Sequence, residues 1–194
     1  LSSGTAAIYF AVTNVVATGQ NLVAASNLYG GTYTQFDPIL PQSNNIHAKF
    51  VNVNDFAATE AAIDADTRAI FVEAIGNPGL DVADLEGYAA VARKHHLPLI
   101  VDATFATPAL LQPIRHGANV VIHSLSKWIG GHGGGIGGAV IDSGKFDWTN
   151  PKFALYNEPD AGYHGLRFAH DLPDALKPVA FSIRLLTVGI RNQG

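Results

Sequence analysis

The chain has 194 residues, enough for one domain with a substantial core, and 47% of them are hydrophobic against only 14% charged. A formal net charge of -4 with no basic run argues against a nucleic-acid partner, and the lack of Cys excludes disulfides, thiolate chemistry and Cys-ligated zinc. The apolar runs are strand-length, so no membrane span is expected, and no signal peptide is visible.

The chain opens at Leu1 in what reads as a turn leading into a helix, contains no Met, and stops at Arg191-Asn192-Gln193-Gly194 without a terminating pattern. The expectation is an internal piece of a longer protein. Residues 5–16 read as a helix apolar almost all round, hence buried, and Thr18-Gly19 ends it. Residues 21–26 read as a short buried strand. Residues 27–32 form a turn with Gly30-Gly31, followed by a helix that cannot run smoothly past Pro38. Residues 49–53 are the next strand, and Asp55 caps a helix reaching Ile63. Residues 68–74 are a strand, and Gly76-Asn77-Pro78-Gly79 is a loop. Asp84 caps a helix to His96, whose Lys94, His95 and His96 suit a helix C-terminus.

Residues 97–102, 119–123 and 137–142 read as further strands. Residues 146–173, rich in Pro, Gly, Asp and aromatics, read as a long ordered excursion, and residues 178–189 begin another helix. There is no internal repeat and no low-complexity segment. Alternating strands and helices predict an α/β layer fold with a mostly parallel sheet. In such sheets a ligand sits beyond the C-terminal strand ends. Asn77, Asp102 and Lys127 all fall there, one β-α unit apart.

Asp102 closes the apolar run Leu97-Pro98-Leu99-Ile100-Val101, and Lys127 follows Val120-Val121-Ile122-His123 in Ser124-Leu125-Ser126-Lys127-Trp128. Most lysines are simply solvated, and a strand-end Asp can merely cap the next turn. The pair, with two hydroxyls beside the lysine, matches what pyridoxal phosphate (PLP) requires. A lysine forms the Schiff base, a buried carboxylate keeps the pyridine nitrogen protonated, and hydroxyls bind phosphate. Such a lysine is expected to be partly desolvated.

Ser3-Gly4-Thr5 opens the first helix, whose N-terminus offers free N–H groups to phosphate, although Ser3 could be no more than an N-cap. Ser124 and Ser126, two apart, can point the same way and complete a phosphate cup with Gly4 and Thr5. Tyr29 is either an aromatic plate for the pyridine ring or a packing residue in its turn. The Gly-rich run 130–138 contains a G-x-G-x-x-G match, but it precedes a strand instead of linking strand to helix, so it reads as backbone freedom beside Lys127. The eight His show no metal-binding spacing, and no G-x-S-x-G elbow is present.

These motifs together resemble the cystathionine synthase/lyase family of PLP enzymes, the trans-sulfuration group with the aspartate-aminotransferase-like fold. The resemblance runs through Ser3-Gly4-Thr5-Ala6-Ala7, Leu28-Tyr29-Gly30-Gly31-Thr32, Gly76-Asn77-Pro78, the stretches 101–108 and 116–118, and the stretch 123–133 around Lys127. It implies that residues 1–194 are a large PLP-binding domain without its N-terminal segment and C-terminal domain. Leu125, Lys127-Trp128 and the excursion 146–166 point to the branch that replaces the acetate of O-acetyl-L-homoserine with sulfide or a small thiol, giving homocysteine or methionine. A γ-lyase, a cystathionine γ-synthase or a non-catalytic PLP-binding or dimer-forming fragment are the alternatives, and an oxidoreductase rests on the Gly run alone.

On matching positions the resemblance implies that Lys127 carries the cofactor and moves the Cα and Cβ protons. Asp102 then pairs with the pyridine nitrogen, and Tyr29 stacks on the ring and assists proton transfer. Ser3, Gly4, Thr5, Ser124 and Ser126 surround the phosphate, Asn77 sits near the phenolic oxygen, and Thr104 stands behind. Ala103, Ala74 and Ser126 depart from the family's usual Asn, Ser and Thr. The resemblance further implies a cytoplasmic homo-oligomer, a dimer of dimers. A Tyr and an Arg from a neighbouring subunit, and an Arg of the C-terminal domain, would complete the site. The piece alone is therefore expected not to turn over.

Overall fold

A computed structural model describes residues 1–191; Asn192, Gln193 and Gly194 lie outside the described residues. Six strands form one sheet: β1 Asn21–Ala25, β2 His47–Val51, β3 Thr67–Glu73, β4 Leu99–Asp102, β5 Val120–Ser124 and β6 Gly138–Asp142. Their order is β2-β1-β3-β4-β5-β6, with every neighbour parallel except β6, which runs antiparallel to β5 at one edge. The mostly parallel sheet expected from the alternating pattern is present.

Burial explains why these segments are strands. β1, β3 and β4 are buried along their whole length, as parallel strands covered on both faces must be. Their side chains divide by alternation. Leu22, Ala24, Ala69, Phe71, Ile100, Val120 and Ile122 join one apolar cluster, and Ala25, Ile70, Val72, Leu99, Val101 and Val121 join the other. The first cluster is closed by helices α1 (Gly4–Thr13) and α8 (Ala180–Arg184), and the second by α5 (Leu85–Lys94). Further α-helices are α2 Gly30–Thr34, α3 Leu40–Asn44, α4 Phe56–Ala62, α6 Thr107–Leu110 and α7 Ala154–Asn157.

The expected caps are in place. Ser3 Oγ accepts the Ala6 N–H, Asp55 Oδ1 the Ala58 N–H and Asp84 Oδ1 the Gly87 N–H, each near 3 Å. The helix through 30–44 is interrupted where Pro38 predicts, with Asp37 leaving helical geometry at φ -151°.

Two boundaries illustrate where the structure departs from expectation. α1 stops at Thr13, not Val16, and covers the core with one side only, since Thr5 is exposed. Its C-cap Asn14 is buried and committed to distant partners: Nδ2 donates to Tyr156 Oη at 2.9 Å and to Phe181 O at 3.1 Å, and Oδ1 accepts from Arg184 Nη1 at 2.8 Å. Long-range bonding here overrides helical continuation. β2 begins two residues early because His47 pairs with Asn21 at the start of the parallel register. The excursion 146–173 is ordered as expected and also supplies core: Trp148, Phe153, Tyr156 and Phe168 are buried, and Trp148 stacks on Tyr156 at 4.3 Å. Residues 180–190 are helical as expected, ending in a wide turn from Leu185 to Ile190.

Candidate active site

The chain leaves β1 toward β2 on one side and later places β3 on the other, so the strand order reverses beside β1. Crevices at the carboxyl ends of strands form at such reversals. A cavity of about 490 Å³ lies at this edge, and every residue singled out from the sequence lines it. Tyr29 arrives from the turn after β1, Asn77 from the loop after β3, and Asp102 from the end of β4. Ser124, Ser126 and Lys127 come from the end of β5 and the turn beyond it, and Ser3, Gly4 and Thr5 from the start of α1.

Gly4 brings the helix start close to β5. A Cβ on Gly4 would stand 2.5 Å from Ser124 Cβ and 3.0 Å from Ser124 Cα, so only glycine permits this approach. The first intrahelical bond is Ala7 N–H to Ser3 O, which leaves the Gly4 and Thr5 N–H groups without a helical acceptor at the positive end of the helix dipole. Ser3 is therefore the N-cap of a helix whose free donors face the cavity. The Ser126 hydroxyl is partly engaged: Oγ accepts the Gly137 N–H at 2.9 Å and donates to Gly137 O at 3.3 Å.

Asp102 is 8% exposed, and burial pushes its carboxyl above the ordinary Asp range, opposed by two hydrogen bonds from Thr104. Thr104 Oγ1 donates to Asp102 Oδ1 at 2.5 Å and the Thr104 N–H to the same oxygen at 2.8 Å. Among the described residues no cation pairs with this carboxylate. A buried anion in that state is poised to receive a cationic group.

Lys127 departs from its expected environment. Its backbone leaves helical geometry (φ -99°, ψ -122°) within a turn closed by Gly130 N–H to Leu125 O and Gly131 N–H to Lys127 O. The residue is exposed, not partly desolvated, as are its neighbours Trp128 at 64% and Ile136 at 81% at the same rim. The side of the cavity that Lys127 faces is open. Tyr29, 48% exposed, also stands at this rim, and Gly31 makes room for its ring: a Cβ there would lie 2.5 Å from Tyr29 Cε1.

Glu73 lines the same cavity and was not singled out from the sequence. It is the last residue of β3, pairs in register with Asp102 and is 5% exposed. The signal was available, because Glu73 ends a buried apolar strand just as Asp102 does. A larger cavity of about 590 Å³ lies at the opposite strand ends, near Leu97 and Asn119. Its cations Arg93, Arg115 and Lys145 are all exposed, so the smaller cavity is the one with converging buried chemistry. The glycine-rich run leads into β6, not into a helix, so it lacks the strand-to-helix setting of a dinucleotide loop.

The arrangement can hold a flat cationic ring against Asp102 and an anion at the start of α1, with a primary amine within the same cavity. Comparison with known proteins agrees with that chemistry. The family model for Cys/Met metabolism PLP-dependent enzymes matches residues 1–164. A homocysteine synthase of Schizosaccharomyces pombe is 45% identical, and an O-acetyl-L-homoserine sulfhydrylase of Leptospira meyeri 40% identical, across 100% of this chain and 44% of each relative. The chain thus spans less than half the length of these curated relatives. Among solved structures, a protein described as an O-acetylhomoserine (thiol)-lyase from Campylobacter jejuni, solved with a pyridoxyl-lysine phosphate, superposes with a TM-score of 0.91 at 37% identity, covering 100% of this chain and 47% of that one. The chain belongs to the Cys/Met metabolism PLP-dependent enzyme family.

Proposed function

We propose that the chain is the PLP-binding part of an enzyme that replaces the acetate of O-acetyl-L-homoserine with sulfide or a small thiol. The observation that carries this reading is the buried Asp102 carboxylate, without a cation among the described residues, in one cavity with Lys127 and the start of α1. The donor set fits the cofactor at each end. Asp102 suits a protonated pyridine nitrogen, and the free Gly4 and Thr5 N–H groups with the Ser124 hydroxyl suit a phosphate. The relatives named above support the substrate class.

When bound, PLP supplies an electron sink for charge developing at the substrate Cα. Lys127 Nζ would hold the cofactor at rest, and the same amine would take the substrate Cα proton and move the Cβ proton. Asp102 would hold the proton on the ring nitrogen, because its burial strengthens a charge pair that water would screen. Tyr29 covers one face of the ring and assists proton transfer, while Asn77 orients the phenolic oxygen. Ser3, Gly4, Thr5, Ser124 and Ser126 fix the phosphate end, and Thr104 holds Asp102. In the net reaction the Cγ–O bond breaks, a Cγ–S bond forms and acetate leaves.

The reading includes residues supplied from outside this chain, in keeping with the open rim at Lys127, Trp128 and Ile136. It extends to a dimer-of-dimers homo-oligomer acting in the cytoplasm; that extension rests on the family resemblance. No helix among the described residues is long and apolar enough to cross a membrane. The test is product analysis of the full-length protein with O-acetyl-L-homoserine, with and without sulfide. Sulfide-dependent homocysteine and acetate support the reading. Release of an α-keto acid and ammonia without sulfide would mark a γ-lyase instead.

A further inference from the structure

Two loops of the cavity come from strands that do not lead directly into one another, the Tyr29 turn after β1 and the Asn77 loop after β3. One buried side chain touches both. Glu73 Oε1 accepts the Tyr29 backbone N–H at 2.8 Å, and the Asn77 backbone N–H lies by the same carboxyl group and favours its charged form. The two loops are in tight contact as well: a Cβ on Gly76 would stand 2.2 Å from Asn27 Nδ2 and 2.6 Å from Asn27 O. Glu73 is thus the polar clasp of a close-packed loop pair.

We infer that Glu73 is a positioning residue that sets the height of the Tyr29 plate and of Asn77 over the cavity through its accepting oxygens. The inference rests on the cofactor reading proposed above. It needs an acceptor at this reach and does not need a negative charge. That agrees with the environment: burial, with Asp102 across the strand pair, pushes the Glu73 carboxyl up to about 8. A protonated carboxyl keeps a carbonyl oxygen able to accept the Tyr29 N–H. It also spares Asp102 a negative charge beside it.

Two conservative variants of the full-length holoenzyme separate reach from charge. Glu73→Gln keeps an acceptor at the same distance and cannot ionise; Glu73→Asp keeps an ionisable carboxyl and withdraws the acceptor by one methylene. PLP affinity is measured by titration, amide exchange is followed at Tyr29 and Asn77, and the cofactor's absorbance band and circular dichroism are recorded. The expected result is Glu73→Gln within about threefold of wild type, and Glu73→Asp weaker by about tenfold, the scale of one lost hydrogen bond to a buried acceptor. Faster Tyr29 and Asn77 exchange and an altered cofactor dichroism should accompany the Asp variant. Wild-type affinity and exchange in Glu73→Asp would overturn the inference, as would a Gln variant as weak as the Asp one. A wild-type holoenzyme with no PLP at Lys127 would overturn the cofactor reading itself, and this inference with it.

Discussion

Thr104 Oγ1 donates to Asp102 Oδ1 at 2.5 Å and accepts the Ser124 N–H at 2.8 Å. One hydroxyl therefore ties the buried carboxylate at the end of β4 to the turn that leads to Lys127. Thr104→Val keeps the shape and removes both bonds, leaving the Ser124 N–H without its acceptor. The expected cost is about 1–3 kcal/mol of stability, with PLP affinity reduced by about tenfold. Thr104→Ser should restore most of both. Denaturant melts and PLP titration of the two variants check this.

Gly4→Ala places a methyl 2.5 Å from Ser124 Cβ. Either α1 or the end of β5 must move, at a cost of about 1–3 kcal/mol. Because the start of α1 is the proposed phosphate seat, binding of inorganic phosphate and of PLP should weaken together. A variant with wild-type affinity for both would remove the helix start from the site.

The cofactor-free protein should lose stability as pH rises from about 4.5 to about 8. Glu73 releases its proton near 4.5 when unfolded but holds it to about 8 when folded, so across that window the folded state binds the extra proton and loses its advantage as protons become scarce. Asp102, raised for the same reason of burial, acts in the same direction. The slope for one proton is at most about 1.4 kcal/mol per pH unit. Urea melts between pH 5 and 8.5 should show the decline, and Glu73→Gln should flatten it.

Asn14 anchors the far side of the sheet through Tyr156, Phe181 and Arg184. Asn14→Ala strips a buried Arg and a buried Tyr of a partner each, and the loss should be about 2–4 kcal/mol. The proposed PLP cavity does not include these groups, so affinity for PLP should stay within about threefold at temperatures below the melt. A melting curve and a titration on the same sample separate the two effects.

Much of this was legible in the sequence for a physical reason. Parallel strands covered on both faces read as unbroken apolar runs, so β1, β3, β4 and β5 stood out, and the residues at their ends fell at the ligand edge. Asp102 was conspicuous because charge follows hydrocarbon abruptly there, and Lys127 because two serine hydroxyls precede it just past a buried strand. The end of α1 was not legible, since Asn14 finds its partners more than 140 positions away. Nor was the exposure of Lys127, because desolvation depends on what covers the rim and not on the residues beside it. Glu73 carried the same strand-end signal as Asp102, but what it holds is loop backbone, which no motif records.

Borohydride reduction of the full-length protein after adding PLP, followed by peptide mass mapping, tests the central claim most directly. The account predicts a pyridoxyl adduct on the peptide containing Lys127 and none on Lys49, Lys94 or Lys152, with the signal abolished in Lys127→Ala. An adduct on another lysine, or no adduct in the full-length protein, would contradict it.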